Sequence, residues 1–243
     1  MSEGLDLLPS AEDVLQMEPE ELAGFAFEYL CHLAKSQNGL VHLSFLSSDK
    51  ILKKYDSPKR DECLHAFMES WMVLLRESLV APRPGMPDTW LFITRRGRTI
   101  KNRIGLKAHL HAALFPKSSI HPDLLDAYPS FLRGDYEIAI VQAFRNVEIR
   151  VRNLCPNADK DLYGVALMRK AFDPKSGPLS DQVEPTSERE ALSALFAGSF
   201  GRFRNPASHR HVPITAPTEA VEIIQIASAL LRVLDDREAS KGK

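Results

Sequence analysis

Near one end of the chain, Arg204-Asn205-Pro206-Ala207-Ser208-His209 places a permanent cation, a side-chain amide and a titratable imidazole within six residues. A guanidinium stays charged at any physiological pH and can grip an anion such as a phosphate through two parallel hydrogen bonds. An imidazole is the side chain whose unperturbed pKa lets it take or give a proton near neutrality. Spacing alone does not single the segment out, because Arg60 and His65 are spaced identically and Arg103 and His109 are one residue further apart. Context separates them. Arg60 and His65 fall on one continuous helical pattern with the apolar stripe Leu64, Phe67, Trp71, Leu74 and Leu75, which makes them a solvated arginine and a half-buried histidine.

Two helices must position the Arg204–His209 segment. Upstream, Thr186-Ser187-Glu188-Arg189-Glu190 reads as a capping box opening a helix whose apolar face is Leu192, Leu195, Phe196 and Phe200. Gly198, Gly201 and Pro206 weaken or stop it, so Arg204 to His209 is expected at a helix exit and turn. Downstream, Pro213 and Pro217 bracket a second start. Val221, Ile224, Ala227, Leu231 and Leu234 then predict a long amphipathic helix.

The whole chain has 243 residues, room for one large domain or two small ones, and a formal net charge of -1. No global basicity advertises a nucleic acid, so such a contact must come from a local patch. The charge is segregated. Residues 3–28 hold acids and no lysine or arginine, a solvated face, whereas Arg95, Arg96, Arg98, Lys101, Arg103 and Lys107 form a run without an acid. Cys31, Cys63 and Cys155 are far apart and fit no metal spacing; they read as reduced thiols. The first residues do not resemble a signal peptide and no apolar run approaches membrane-spanning length, so a cytoplasmic protein without membrane contact is expected. Neither a phosphate-cradling glycine loop, nor a nucleophile motif, nor a metal cluster is found, so no cofactor and no metal are expected.

In the first half, helical patterns run from Pro19 to Lys35, with Gln37-Asn38-Gly39 as a stop, and from Pro58 to Leu79. A turn-rich stretch, Val80 to Asp88, is followed by the strand-like Thr89 to Thr94 and then by Arg95-Arg96-Gly97-Arg98. That order, helix to hairpin to basic turn, resembles a winged-helix domain over residues 1–115. Arg95, Arg96, Arg98, Lys101 and Arg103 on its wing could neutralise phosphates without reading sequence. The same cations would equally serve a wing that packs on the next domain and a basic linker helix. Ile104 to Phe115 continues as a helix, and His109 and His111, two apart, cannot share one face of it. The stretch Pro116 to Pro122 reads as the domain boundary, leaving 116–243 as a second domain.

Three segments of the second half agree in order. They are Gly134-Asp-Tyr-Glu opening a long helix with Val147-Glu148-Ile-Arg150, then Gly164-Val-Ala-Leu-Met168 with Ala171-Phe172, and last Leu195-Phe196-Ala-Gly198 leading to Arg204–His209. In this they resemble the HEPN superfamily, more closely its bacterial Ymh branch, over about residues 120–238. The overall expectation is a mainly α chain: an up-and-down HEPN-like helical bundle preceded by a small winged-helix-like α+β domain with a β-hairpin.

The resemblance implies a homodimer that brings two Arg-x4-His motifs into one cleft, with RNA as substrate. Many such proteins are metal-independent endoribonucleases acting as toxins or antiphage effectors; others keep only binding or regulatory roles. Arg204, Asn205 and His209 would be the catalytic set. Arg202, Arg210 and His211 would contact substrate at the rim, with Arg145 and Glu148 from the long helix. Glu148 also reads as the ion-pair partner of a bundle arginine, Arg204 among them. The residue two past His209, a tyrosine in toxins controlled by nucleotidyl transfer, is here His211. Metal-free cleavage needs a base for the 2′-hydroxyl proton, an acid for the leaving 5′-oxygen and a cation for the phosphorane charge. One His209 cannot easily hold both sides of an in-line displacement; two in a dimer can. The other expectation is a non-catalytic regulator whose winged helix binds DNA or a protein partner and whose bundle dimerises or senses a nucleotide.

Overall fold

The computed structural model describes residues 4–36, 40–44, 48–55, 58–204 and 214–241. Packing divides the chain into two units, Met1–His109 and Leu110–Lys243.

In the first unit, α1 (Ala11–Gln16) is capped by Ser10, whose hydroxyl oxygen accepts from the Asp13 amide at 3.2 Å. α2 (Pro19–Ser36) opens on a proline, with Glu20 and Glu21 at the positive end of its dipole. It buries Leu22, Phe27 and Leu30 and packs on α4 (Arg60–Arg76), which buries Phe67, Trp71 and Leu74. β1 (Leu40–His42) and α3 (Asp49–Lys54) lie between these helices in sequence, and β2 (Val80–Pro82) and β3 (Trp90–Ile93) follow. The strands form one antiparallel sheet in the order β1-β3-β2, with Val41 opposite Leu91 and Ala81 opposite Phe92.

The expected strand before the basic run is therefore present, but the run itself is not a turn. Arg95–Ile100 is a helix, α5, capped by Thr94, whose hydroxyl oxygen accepts from the Gly97 amide at 3.1 Å. Glycine is required there because a Cβ on Gly97 would lie 2.3 Å from the Leu79 carbonyl oxygen. The loop of the β2–β3 hairpin is residues 83–89, and its only cation is Arg83.

α6 (Arg103–Leu114) crosses the division between the units. His109, in the first unit, lies 3.1 Å from Glu77. His111 belongs to the second, where its Nδ1–H donates to the Leu132 carbonyl at 3.2 Å and its Nε2 accepts from the Tyr136 hydroxyl at 3.0 Å. Phe115 packs edge-on against Phe131 in the same core, so the last turns of α6 divide from the first unit ahead of the proline-marked stretch.

α7 (Tyr128–Arg133) ends at Gly134, whose φ of 87° lets α8 (Tyr136–Leu154) start at once in a new direction. α8 is the axis of this unit, burying Tyr136, Ala139, Ile140, Ala143, Phe144, Val147 and Val151 along one stripe. α9 (Gly164–Ala171) and α10 (Thr186–Ser199) are joined by Phe172 stacked on Phe196 at 4.0 Å. α11 (Pro217–Lys241) packs along α8 through Ile224, Ala227 and Leu231, and Arg150 of α8 reaches Asp235 at 2.8 Å and Glu238 at 2.6 Å. No helix among the described residues is long and apolar enough to cross a membrane.

Three local expectations are corrected. The capping box does not form: Pro185 holds the cap position of α10 without a side-chain bond, and the Thr186 hydroxyl instead accepts from Arg189 at 3.1 Å. Leu195 is half exposed rather than in the core. Neither Gly198 nor Gly201 stops the helix, because both lie where a Cβ has room and Phe200 beyond them is buried; the chain continues as a wider π-helical turn, Phe200–Arg204. Phe144 meets that turn edge-on through Phe200 at 5.3 Å. Replacing Phe144 by Ala is expected to lower the stability of the second unit by about 3–5 kcal/mol, read as an earlier loss of helical circular dichroism in urea.

Candidate functional site

The π-helical turn delivers Arg204 to α8. Phe200 is fully buried against Phe144, and Phe203, partly buried, lies 6.3 Å from the same ring. With two aromatic anchors on one side, the next residue is directed along α8. There the Nη2 of Arg204 comes to 3.9 Å from Oε2 of Glu148, and 28% of the arginine side chain remains exposed.

Glu148 occupies a position on the apolar stripe of α8 between Val147 and Val151 and is only 8% exposed. A carboxylate so placed must be compensated. Arg152, one turn on, brings its Nη2 to 3.6 Å from Oε1. The Gly164 amide, the first of α9, donates to Oε2 at 3.3 Å. Gly164 has a φ of 51°, a left-handed conformation that favours glycine, and so the positive end of α9 is turned onto the carboxylate. Arg152 in addition donates to the Leu162 carbonyl and lies 4.7 Å over the ring of Tyr163. One carboxylate thus gathers two guanidinium groups and a helix start. Chemically, this is a cation held in place and partly open to solvent, ready to meet an anion without first being ordered.

The other expected residues are distributed unequally. Arg202 is exposed on the same turn as Arg204, and Arg145 is exposed on α8 but takes no part in the contacts around Glu148. Asn205, His209, Arg210 and His211, with Pro206 and Pro213, lie outside the described residues. The basic run of the first unit sits on α5 and the start of α6 rather than on the hairpin loop. Within it Arg95, Arg98 and Lys101 are exposed, Arg96 donates to the Glu77 carbonyl at 3.0 Å, and Arg103 lies 4.8 Å over Phe25 and 3.9 Å from Glu28. Elsewhere on α8 a cleft is lined by Asp123, Asp126, Asn146 and Arg150, the last already paired with α11. Among the described residues no three His, Cys, Asp or Glu side chains are grouped to hold a metal ion.

Arg152, Tyr163 and the Gly164 amide were not among the residues expected at the site. Their signal was present: an arginine four residues after a glutamate that interrupts an apolar stripe, and an aromatic immediately before a glycine that opens a helix. Two of the cysteines are poor nucleophiles. Burial pushes the Cys31 thiol up to about 11, with Lys35 pulling it down and Glu28 adding to the rise, and burial also raises Cys63.

Residues 118–234 match a family described as "Protein of unknown function (Hypoth_ymh)". The matched segment takes in Glu148, Gly164 and Arg204, agrees with the expected resemblance to the Ymh family, and leaves the first unit outside. No curated protein and no solved structure matches the chain.

Removing the carboxylate should cost stability as well as order. Glu148→Ala, which leaves the Gly164 amide without its acceptor, is expected to destabilise by about 1–3 kcal/mol; Glu148→Gln, which keeps an acceptor, should lose less in the same urea titration. A raised thiol pKa means little thiolate below it, so Cys31 at pH 8 should react with iodoacetamide roughly a hundredfold more slowly than an unhindered thiol. Its rate should climb until the pH reaches about 11, read by mass spectrometry of the alkylated peptide.

Proposed function

We propose that the second unit is a metal-independent endoribonuclease of the HEPN type, working as a homodimer whose two copies share one cleft. The observation that carries this is Arg204, tied to a carboxylate on the apolar stripe of α8 and still partly exposed, within a segment that matches the Ymh family. Arg204 meets its carboxylate at 3.9 Å and keeps an open side, as gripping a phosphate requires.

In this scheme His209 of one copy removes the proton of a ribose 2′-hydroxyl. The freed oxygen attacks the adjacent phosphorus while His209 of the other copy protonates the departing 5′-oxygen. Arg204 offsets the charge that builds on the phosphorane, and Asn205 holds the imidazole tautomer or the phosphate. The products are a 2′,3′-cyclic phosphate and a 5′-hydroxyl. DNA, lacking the 2′-hydroxyl, is not cut. Arg202, Arg210 and His211 contact the strand at the rim, and the biological setting is a toxin or antiphage effector.

For the first unit we propose a winged helix. The succession α2, β1, α3, α4, β2, β3 and the sheet order β1-β3-β2 support it. In such a domain α4 is the helix that meets a partner, and its exposed side chains include Asp61, Glu62, Met68, Glu69 and Met72. Acids would repel phosphates, while methionines adapt to apolar surfaces, so this face suits a protein partner better than DNA.

The test is incubation of the purified protein with labelled single-stranded RNA and matching DNA in excess EDTA. RNA should be cut to 2′,3′-cyclic ends, and His209→Ala and Arg204→Ala should each slow cleavage by at least about 100-fold. Intact RNA, or variants that cut like the parent, would overturn the nuclease and leave a regulator built on the same two units.

A further inference from the structure

Among the described residues, Tyr163 is the one aromatic side chain that stands exposed, at 60% of its surface; the others are buried or partly covered. Its ring is nevertheless held. Arg152 lies 4.7 Å over one face, and that guanidinium is itself fixed by Glu148 and by the Leu162 carbonyl. With Arg152 over one face, a ligand would have to stack on the other. The next residue, Gly164, donates to the same Glu148 oxygen that Arg204 faces. The open ring and the phosphate-gripping cation therefore flank a single carboxylate, and neither must be ordered when a ligand arrives.

We infer that Tyr163 is a stacking platform for an unpaired nucleobase adjoining the phosphate held by Arg204, which restricts the substrate to single-stranded RNA with little sequence preference. The inference rests on the proposed nuclease for the identity of the ligand. Its physical content is separate. Every base presents a π face, so stacking on an aromatic ring is tolerant of sequence, and a cation behind the ring adds to the platform. A tyrosine has few rotatable bonds to immobilise, and this one is already pinned by Arg152. Bases inside a duplex are stacked on one another and cannot use it. Arg202, exposed on the turn of Arg204, supplies a further positive charge for the strand to follow.

The test measures binding rather than cleavage. Fluorescence anisotropy would follow the full chain with a short oligoribonucleotide, 2′-O-methylated throughout so that no attack can occur, and with versions carrying one abasic position moved along the strand. Tyr163→Phe should bind like the parent, and Tyr163→Leu roughly 5- to 150-fold more weakly. One abasic position should weaken the parent by a similar factor and leave the Leu variant nearly unaffected, so that the two losses do not add. Unchanged affinity in the Leu variant, insensitivity of the parent to every abasic position, or no binding by the parent at all would overturn the platform. If the coupling is found but natural RNA is never cut, the platform stands and the nuclease falls. Cleavage without coupling gives the reverse.

Discussion

The second unit depends on a carboxylate in a place where physical chemistry disfavours one. Glu148 sits on the apolar stripe of α8, and an ionised group there survives only because α9 and two arginines are arranged around it. The requirement propagates outward. Gly164 must take a left-handed conformation to aim its amide, Arg152 must fold back over Tyr163, and the end of α10 must widen so that Arg204 reaches inward. The carboxylate is thus both the acceptor of the Gly164 amide and the organiser of the surrounding cations.

The helices were legible because their apolar periodicity is strong. The stripe from Tyr136 to Val151 and the one from Leu64 to Leu74 each fall on a helix close to the expected bounds. What misled was punctuation. Gly198 and Gly201 look like stops, yet Phe200 and Phe203 gain more from packing on Phe144 than the glycines cost, so tertiary contact carries the helix on to Arg204. Likewise Arg95-Arg96-Gly97-Arg98 has the composition of a turn, but Thr94 supplies a cap and Gly97 a close approach to Leu79, and a helix forms. The pairing of Glu148 with Arg204 could be anticipated from their residue types. Arg152 could be paired with Glu148 by its four-residue spacing on α8, but its second contact, with Tyr163, could not be read, because Tyr163 comes from the loop between α8 and α9, where no period exists.

The two units also spend their charge differently. In the first, part of the basic run is engaged by its own fold while staying exposed: Arg96 caps the end of α4, and Arg103 lies over Phe25 and near Glu28. In the second, Arg150 is taken up by Asp235 and Glu238 in fastening α11 to α8. Arg204 differs from Arg150 in meeting its carboxylate loosely, at 3.9 Å rather than within hydrogen-bond distance.

The widened turn at Phe200–Arg204 has a consequence for how such proteins are compared. Each residue of an ordinary helix advances the side-chain direction by roughly 100°, so one residue more or less before the arginine would swing its guanidinium to another face of the bundle with no change in any residue type. Two chains could then carry the same arginine, the same glutamate and the same histidine spacing and still differ in whether the cation meets the carboxylate. For this architecture the length of the path from the last aromatic anchor to the arginine is as informative as the motif itself.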